Sequence, residues 1–194
     1  ALIIGGISPG AALFRQVRRY TDLEVRVLLR PRFGDFCYSK YEQDVLKEEV
    51  QLFRELGADG VVIGSLNPDG TLNMDQMEEL VHLAGDMKVT MHRAFDVCRD
   101  PFEALEQCRK LGIDTILTSG QKASAWEGRY LLAELMKKAE GKVVRILKHE
   151  KDTVVGIFQN NKNFGFVVPD DKNFGTDIFI SKKDFGKARN NHKV

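Results

Sequence analysis

Four short apolar runs of β type recur along the first three quarters of the chain: "LEVRVLL" (23–29), "GVVIGSL" (60–66), "KVTMHRAF" (88–95) and "DTILTSG" (114–120). Amphipathic stretches separate them. In "SKYEQDVLKEEVQLFRELG" (39–57) the spacing puts Val45, Leu46, Val50, Phe53 and Leu56 on one helical face, with Ser39 as N-cap and Gly57 as stop. "NMDQMEELVHLAG" (73–85) begins and ends in the same manner. "DPFEALEQCRKLG" (100–112) has Asp100 as cap, Pro101 in the first turn and Gly112 at the exit. A fourth helix, within "SAWEGRYLLAELMKKAEG" (124–141), turns Leu131, Leu132, Leu135, Met136 and Ala139 inward. Strand alternating with helix at roughly 30-residue intervals predicts successive βα units and a parallel sheet. "ELGADGVVIG" (55–64) and "KLGIDTILTSG" (110–120) are near echoes of one another, as a repeating architecture requires.

The rhythm stops at "EGKVVRILKHE" (140–150). Beyond it the chain reads as short alternating strands, "KVVRILKH", "DTVVGIFQ", "FGFVVPD" and "TDIFIS", joined by the turns "NNKN" and "DKNFG". Such spacing predicts a small β-barrel. Charge changes at the same place. Residues 1–141 hold 18 Lys+Arg against 22 Asp+Glu, and residues 142–194 hold 11 against 6. A basic segment behind a mildly acidic one suits a polyanion partner for the tail, or simply a soluble tail. We therefore expect two domains, 1–141 and 142–194, meeting without a Gly/Ser or Pro linker.

In βα repeats the functional groups sit just after the strand C-termini. There the sequence offers Arg30, Arg32 and Asp35, then Ser65, then His92, Arg93 and Asp96, then Thr118 and Ser119. Two readings stand. The charged residues are Arg–carboxylate pairs tying loops together, or they are an active site with His92 as acid–base and Arg30, Arg32 and Arg93 holding an anionic metabolite. His82, on an ordinary helix, reads as a surface or packing residue.

The order and spacing of "LRPRFGDFCYS" (29–39), "GADGVVIGSLNPDG" (57–70), "HRAFD" (92–96), "ILTSG" (116–120) and "ASAWEG" (123–128) closely resemble the CutC family, linked with copper homeostasis. That resemblance implies a TIM-type (β/α) barrel. The four strands look like its third to sixth, and Arg30, Arg32, Asp35, His92, Arg93, Asp96 and Ser119 would line its mouth. Copper is the implied metal. Cu(I) prefers sulfur ligands, and Cys37 and Cys98 are the thiols nearest the expected mouth, while Cys108 reads as a core residue. A partial barrel leaves two strand edges unpaired, so it must dimerise, be capped or be unstable.

In the tail, Phe164 and Phe166 are two apart and share a face. Phe158 and Phe179 could join them from neighbouring strands, with Lys162, Lys172, Lys182 and Lys183 around the rings. Aromatic faces ringed by lysine form a stacking platform for unpaired bases. A domain this short also needs core aromatics, so at least one of the four should fill its interior. "NKNFGFVVPDD" followed by "DIFIS" resembles the cold-shock pattern, and the whole segment resembles the cold-shock-type OB domain of the ribonuclease R/ribonuclease II family. By that resemblance Phe158, Lys162, Phe164, Phe166 and Phe179 contact single-stranded RNA. Ser181 stands where the pattern has an aromatic or His, and the nuclease's catalytic domain has no counterpart here.

The fold class expected is thus α/β: a partial TIM-type barrel of four parallel strands followed by a small, truncated OB/cold-shock-like all-β domain. The join reads as a chimera, natural or not, and the start at Ala1 within core-like sequence reads as a fragment. A non-native join without intact activity and a piece of a ribonuclease R-like exoribonuclease are the rival readings. No apolar run approaches the eighteen or so residues of a membrane span. No signal-peptide pattern opens the chain, and three cysteines without a CxxC fit a reducing cytoplasm.

Overall fold

A computed structural model describes residues 6–139, 155–161, 164–170, 177–186 and 188–193. The chain divides into two units, Ala1–Lys142 and Val143–Val194.

The first unit alternates helices α1 (Ala11–Tyr20), α2 (Lys40–Glu55), α3 (Met74–Ala84), α4 (Pro101–Lys110) and α5 (Arg129–Ala139) with strands β1 (Arg26–Leu28), β2 (Gly60–Ile63), β3 (Lys88–Met91) and β4 (Thr115–Ile116). The strands form one parallel sheet in chain order, β1-β2-β3-β4. Val27 pairs with Val61 and Val61 with Val89. This is the α/β architecture that the sequence rhythm predicts. The strands are shorter than the apolar runs: β2 and β3 start with their runs and end early, whereas β1 starts late, at Arg26.

Alternation sorts the sheet into two faces. Val27, Leu29, Val61, Ile63, Val89 and Met91 lie in the core with Leu46, Val50 and Phe53 of α2 and Met77 and Leu80 of α3. On the other face Arg26 reaches across two strands, its Nη1 donating to Thr90 Oγ1 (2.9 Å) and Thr115 Oγ1 (3.1 Å).

Cap chemistry sets the helix limits where the sequence places them. Ser39 and Glu42 form a reciprocal capping box on α2. Asn73 accepts from the Gln76 N–H, and Asp100 accepts from the Phe102 and Glu103 N–H groups with Pro101 behind it. Two expected core residues are instead exposed, Val45 at 48% and Met136 at 39%. Each lies one position from a fully inward neighbour, Leu46 or Leu135, and so roughly 100° around the helix from it. Gln43 takes the inward place on α2, its Nε2 donating to the Gln76 carbonyl (3.2 Å). The sequence reading also passed over α1, which buries Phe14 edge-on against Phe53.

The second unit is a three-stranded antiparallel sheet in the order β5 (Gly156–Asn161), β6 (Phe164–Pro169), β7 (Ile178–Ser181). The far edge of β5 receives the chain's end, with Phe158 N–H donating to the His192 carbonyl (2.8 Å) and Asn191 N–H to the Phe158 carbonyl (2.7 Å). The strand expected at 142–149, and Lys162 and Lys172, lie outside the described residues. Among the described residues no helix is long and apolar enough to cross a membrane.

Candidate functional site

The predicted mouth residues do gather where β1, β3 and β4 end, but they take different parts. Arg32 is engaged by its own loop. Its Nε donates to Glu42 Oε1 (2.6 Å), and its Nη2 donates to Asp35 Oδ1 (2.8 Å) and the Cys37 carbonyl (3.1 Å). The Arg32 hydrogen bond holds the Asp35 carboxyl below the usual range, helped by the Cys37 N–H. Arg32 is thus a loop clamp.

Arg30 is buried at the end of β1, 7% exposed. Its Nη2 donates to the Gly34 carbonyl (2.7 Å) and its Nη1 to the Gly6 carbonyl (3.3 Å). The guanidinium lies 4.8 Å from the Phe36 ring centre, and the His92 ring lies 4.8 Å from the same centre.

His92 follows β3 and is 3% exposed. Its Nδ1 accepts the Ala94 backbone N–H at 3.1 Å. A nitrogen that accepts carries no proton, so in the neutral ring the proton sits on Nε2. That Nε2 is fully buried and has no hydrogen-bond partner among the described residues. An unmade bond of this kind costs about 1–3 kcal/mol. Burial, then the charge of Arg30, pushes the imidazole down to about 3, so the ring is neutral at ordinary pH. As it stands, His92 is suited to donate a hydrogen bond rather than to shuttle a proton. Gly64 makes its position possible: a Cβ there would lie 2.6 Å from the imidazole.

Asp96 organises the β4 loop. Its side chain is 6% exposed and pairs with Arg93 Nε. Its oxygens accept from Thr118 Oγ1 (2.6 Å), the Ser119 N–H (3.0 Å) and the Gln121 N–H (3.0 Å). Burial alone would raise its pKa, but the Thr118, Gln121 and Ser119 bonds and Arg93 outweigh that and lower it. Gln121 is one of the few non-glycine residues at positive φ, 57°, and Asp96 holds its amide there. Ser119 accepts from Arg93 Nη2 (2.7 Å) and donates to the Lys122 carbonyl. Ser65 donates to Gln76 of α3. Asp96, Arg93, Thr118 and Ser119 therefore form one positioning network. The sequence reading missed Phe36, Gly64 and Gln121. A small residue directly after a strand was the one available signal, for Gly64.

The described residues assemble no three-ligand metal centre. Burial and Asp35 push the Cys37 thiol up, and burial pushes Cys98 to about 11 and Cys108 to about 12. The free thiols are therefore protonated at neutral pH. Among the described residues no three His, Cys, Asp or Glu side chains are grouped as a ligand set. A shallow open hollow of about 490 Å³ lies at the opposite ends of the strands, beside Arg18, Asp22, Glu24, Asp59, Asp86 and Lys88. Arg18 is engaged there by the Leu23 and Gly57 carbonyls and by Asp59.

In the second unit, register separates the four phenylalanines. Phe158 pairs with Val167, Phe166 with Phe179 and Phe164 with Ser181. Phe158 and Val167 form the buried face, at 1% and 6% exposed. Phe158 packs edge-on against Phe185 and against Gly165, where a Cβ would lie 2.4 Å from the ring. It is the core aromatic that so short a domain needs, and its burial takes it out of any open platform. Phe164, Phe166 and Phe179 share the other face with ring centres 5.5–5.9 Å apart. Phe179 is 60% exposed, and Lys182 and Lys183 follow it on the surface.

Comparison with known proteins places both segments. Residues 1–149 match the CutC family, and residues 166–194 match the cold shock domain. A CutC family protein of Serratia proteamaculans is 38% identical over 171 residues, 85% of this chain and 68% of its own. One from Sodalis glossinidius is 44% identical over 140 residues, 72% of this chain and 56% of its own. One from Pasteurella multocida is 37% identical over 185 residues, 95% of this chain and 71% of its own. The chain thus spans between just over half and about seven tenths of the length of these relatives. The solved structure of a Streptococcus agalactiae CutC, named for copper homeostasis, superposes with a TM-score of 0.69 at 26% identity, covering 72% of this chain and 70% of that one. With a family match from residue 1 to residue 149, and strand order and helix placement that agree with it, this chain belongs to the CutC family.

Proposed function

We propose that the C-terminal unit binds single-stranded RNA on the sheet face that carries Phe164, Phe166 and Phe179. The observation behind this reading is the contact of three rings on one face, with Phe179 open to solvent. Each base stacked on such a ring is worth about 1–3 kcal/mol and no one base is demanded. Lys182 and Lys183 supply phosphate contacts, which make the binding salt-dependent. Phe158 supports the sheet from within rather than touching RNA. Ser181 lies opposite Phe164, where an aromatic or His would extend the platform, so the site is shorter than the cold-shock pattern.

We infer further that this unit is related to the cold-shock-type OB domain of ribonuclease R, and that it is joined to a CutC segment. The change from parallel βα units to an antiparallel sheet, and from net acidic to net basic sequence, supports a join. A role of the first unit in copper homeostasis follows from the family alone, since no group of three ligating side chains stands among the described residues.

The test is the affinity of the full chain for single-stranded RNA at two salt concentrations. Binding should weaken with salt and weaken again in Phe164→Ala/Phe166→Ala. An affinity indifferent to both would end the proposal.

A further inference from the structure

Among its described residues the first unit holds a buried polar atom without a hydrogen-bond partner. His92 Nε2 is fully buried, lacks a partner among the described residues, and must carry the ring's proton because Nδ1 is occupied by the Ala94 N–H. Structures rarely keep a buried donor in this condition without reason, since most such groups find a partner or bind something. The position is also built rather than accidental. Gly64 is the residue without a Cβ that the imidazole needs beside it, and the Phe36 ring packs against the imidazole, tilted by 45° with centres 4.8 Å apart. Met91, the preceding residue, points to the helices, so His92 stands on the sheet face turned away from them, at the strand C-termini. In βα architectures that is the end where ligands bind.

The charge beside it narrows the ligand. The Arg30 guanidinium also lies 4.8 Å from the Phe36 ring centre and depresses the basicity of His92, so its field reaches the imidazole. Arg93 and Arg32 are answered by Asp96 and by Asp35 and Glu42, and none of these carboxylates bonds to His92. A donor beside a fixed positive charge favours an oxygen that carries negative charge.

We propose that His92 is a neutral hydrogen-bond donor for one oxygen of a small oxyanionic ligand, a phosphate or a carboxylate, with the Arg30 charge setting the preference for an anion. Binding satisfies Nε2 without any proton transfer. Because His92 is 3% exposed, the ligand reaches Nε2 only when the side chains packed around the imidazole move. This proposal stands apart from RNA binding by the second unit, and neither depends on the other.

The experiment is ¹⁵N NMR of the histidine rings in the full chain, titrated at neutral pH with inorganic phosphate and, separately, with acetate. We expect His92 in the Nε2–H form before any addition. Its Nε2 signal should shift saturably with one or both anions, and the responding anion assigns the ligand class. His92→Gln keeps an N–H near the Nε2 position and should retain binding, while His92→Phe should weaken it about tenfold or more. An Nδ1–H tautomer, an imidazolium at neutral pH, or an Nε2 signal unmoved by both anions would each overturn the proposal. Because these readouts are taken on the unaltered chain, they hold even if His92→Phe fails to fold.

Discussion

The Ala94 backbone N–H donates to Nδ1 of His92 across 3.1 Å, and this fixes the state of the imidazole. With the ring neutral in the folded chain and pushed down to about 3, the unfolded chain binds the proton more tightly. His92 therefore adds stability that is complete above its ordinary pKa of about 6.5 and is lost as pH falls toward 3. We predict that urea unfolding free energy drops by up to about 1.4 kcal/mol per pH unit between pH 6 and 5 on account of this residue. Burial also raises the Glu49 carboxyl toward that window, so the His92 contribution is read as the difference between the unaltered chain and His92→Gln. In His92→Gln the same slope should flatten, and equal slopes in the two proteins would refute the assignment.

Gly64→Ala should disturb the same ring from the neighbouring strand. The added Cβ would sit 2.6 Å from Cε1 and Nδ1 of His92 and 3.1 Å from Sδ of Met91. The imidazole must swing away, which breaks the Ala94 bond. The expected loss is about 1–3 kcal/mol, as for other overpacked sites. Chemical denaturation gives the cost, and the His92 tautomer by NMR tells whether the ring has moved.

Two Arg–Asp pairs with the same three-residue spacing should behave differently. Asp96 is 6% exposed beside Arg93, whereas Asp35 is 66% exposed beside Arg32. Asp96→Asn removes an acceptor that serves three loop donors as well as the arginine, and should cost on the order of 3 kcal/mol. Asp35→Asn should cost about 1 kcal/mol or less, because water answers what it loses. Comparable losses in the two variants would mean that Asp96 does not organise the β4 loop.

The thiols should be slow. Burial raises Cys98 to about 11 and Cys108 to about 12, and Cys37 is raised as well. With a thiol reagent at neutral pH, Cys37 should label first, while Cys98 and Cys108 stay silent until the chain is unfolded. Cu(I) titration should give the same result for the unaltered chain and for Cys37→Ser/Cys98→Ser. A stoichiometric site lost in the double variant would restore the sulfur centre.

The features legible in the sequence were those set by periodicity and local chemistry. Apolar runs gave the parallel strands, and Ser39, Asn73 and Asp100 marked the helix starts that their side chains now cap. Which charged residues gather at the strand ends was also legible. Their division of labour was not, because "RFGD" and "RAFD" carry the same Arg–Asp spacing and burial alone separates a loop clamp from a buried network. Nor could the pattern show that Gly64 makes room for His92, a contact between two strand ends set by register. Val45 and Met136 misled because a helical face has edges, and a residue at an edge is apolar without being buried. In the tail, alternation placed Phe164 and Phe166 together, but whether Phe158 joined them depended on the pairing of β5 with β6.

That pairing gives the last prediction, a separation of stability from binding within one set of aromatics. Phe158 is 1% exposed and packed against Phe185 and Val167 on the inner face, whereas Phe179 is 60% exposed on the outer one. Phe158→Ala should cost about 3–5 kcal/mol of the second unit's stability, as in other cores. Phe179→Ala should leave stability nearly unchanged and instead weaken RNA binding by about 1–3 kcal/mol. Thermal unfolding followed by near-ultraviolet circular dichroism reads the first effect, and fluorescence anisotropy with a labelled single strand reads the second. If Phe158→Ala unfolds nothing while Phe179→Ala does, the two faces of the sheet have been assigned the wrong way round.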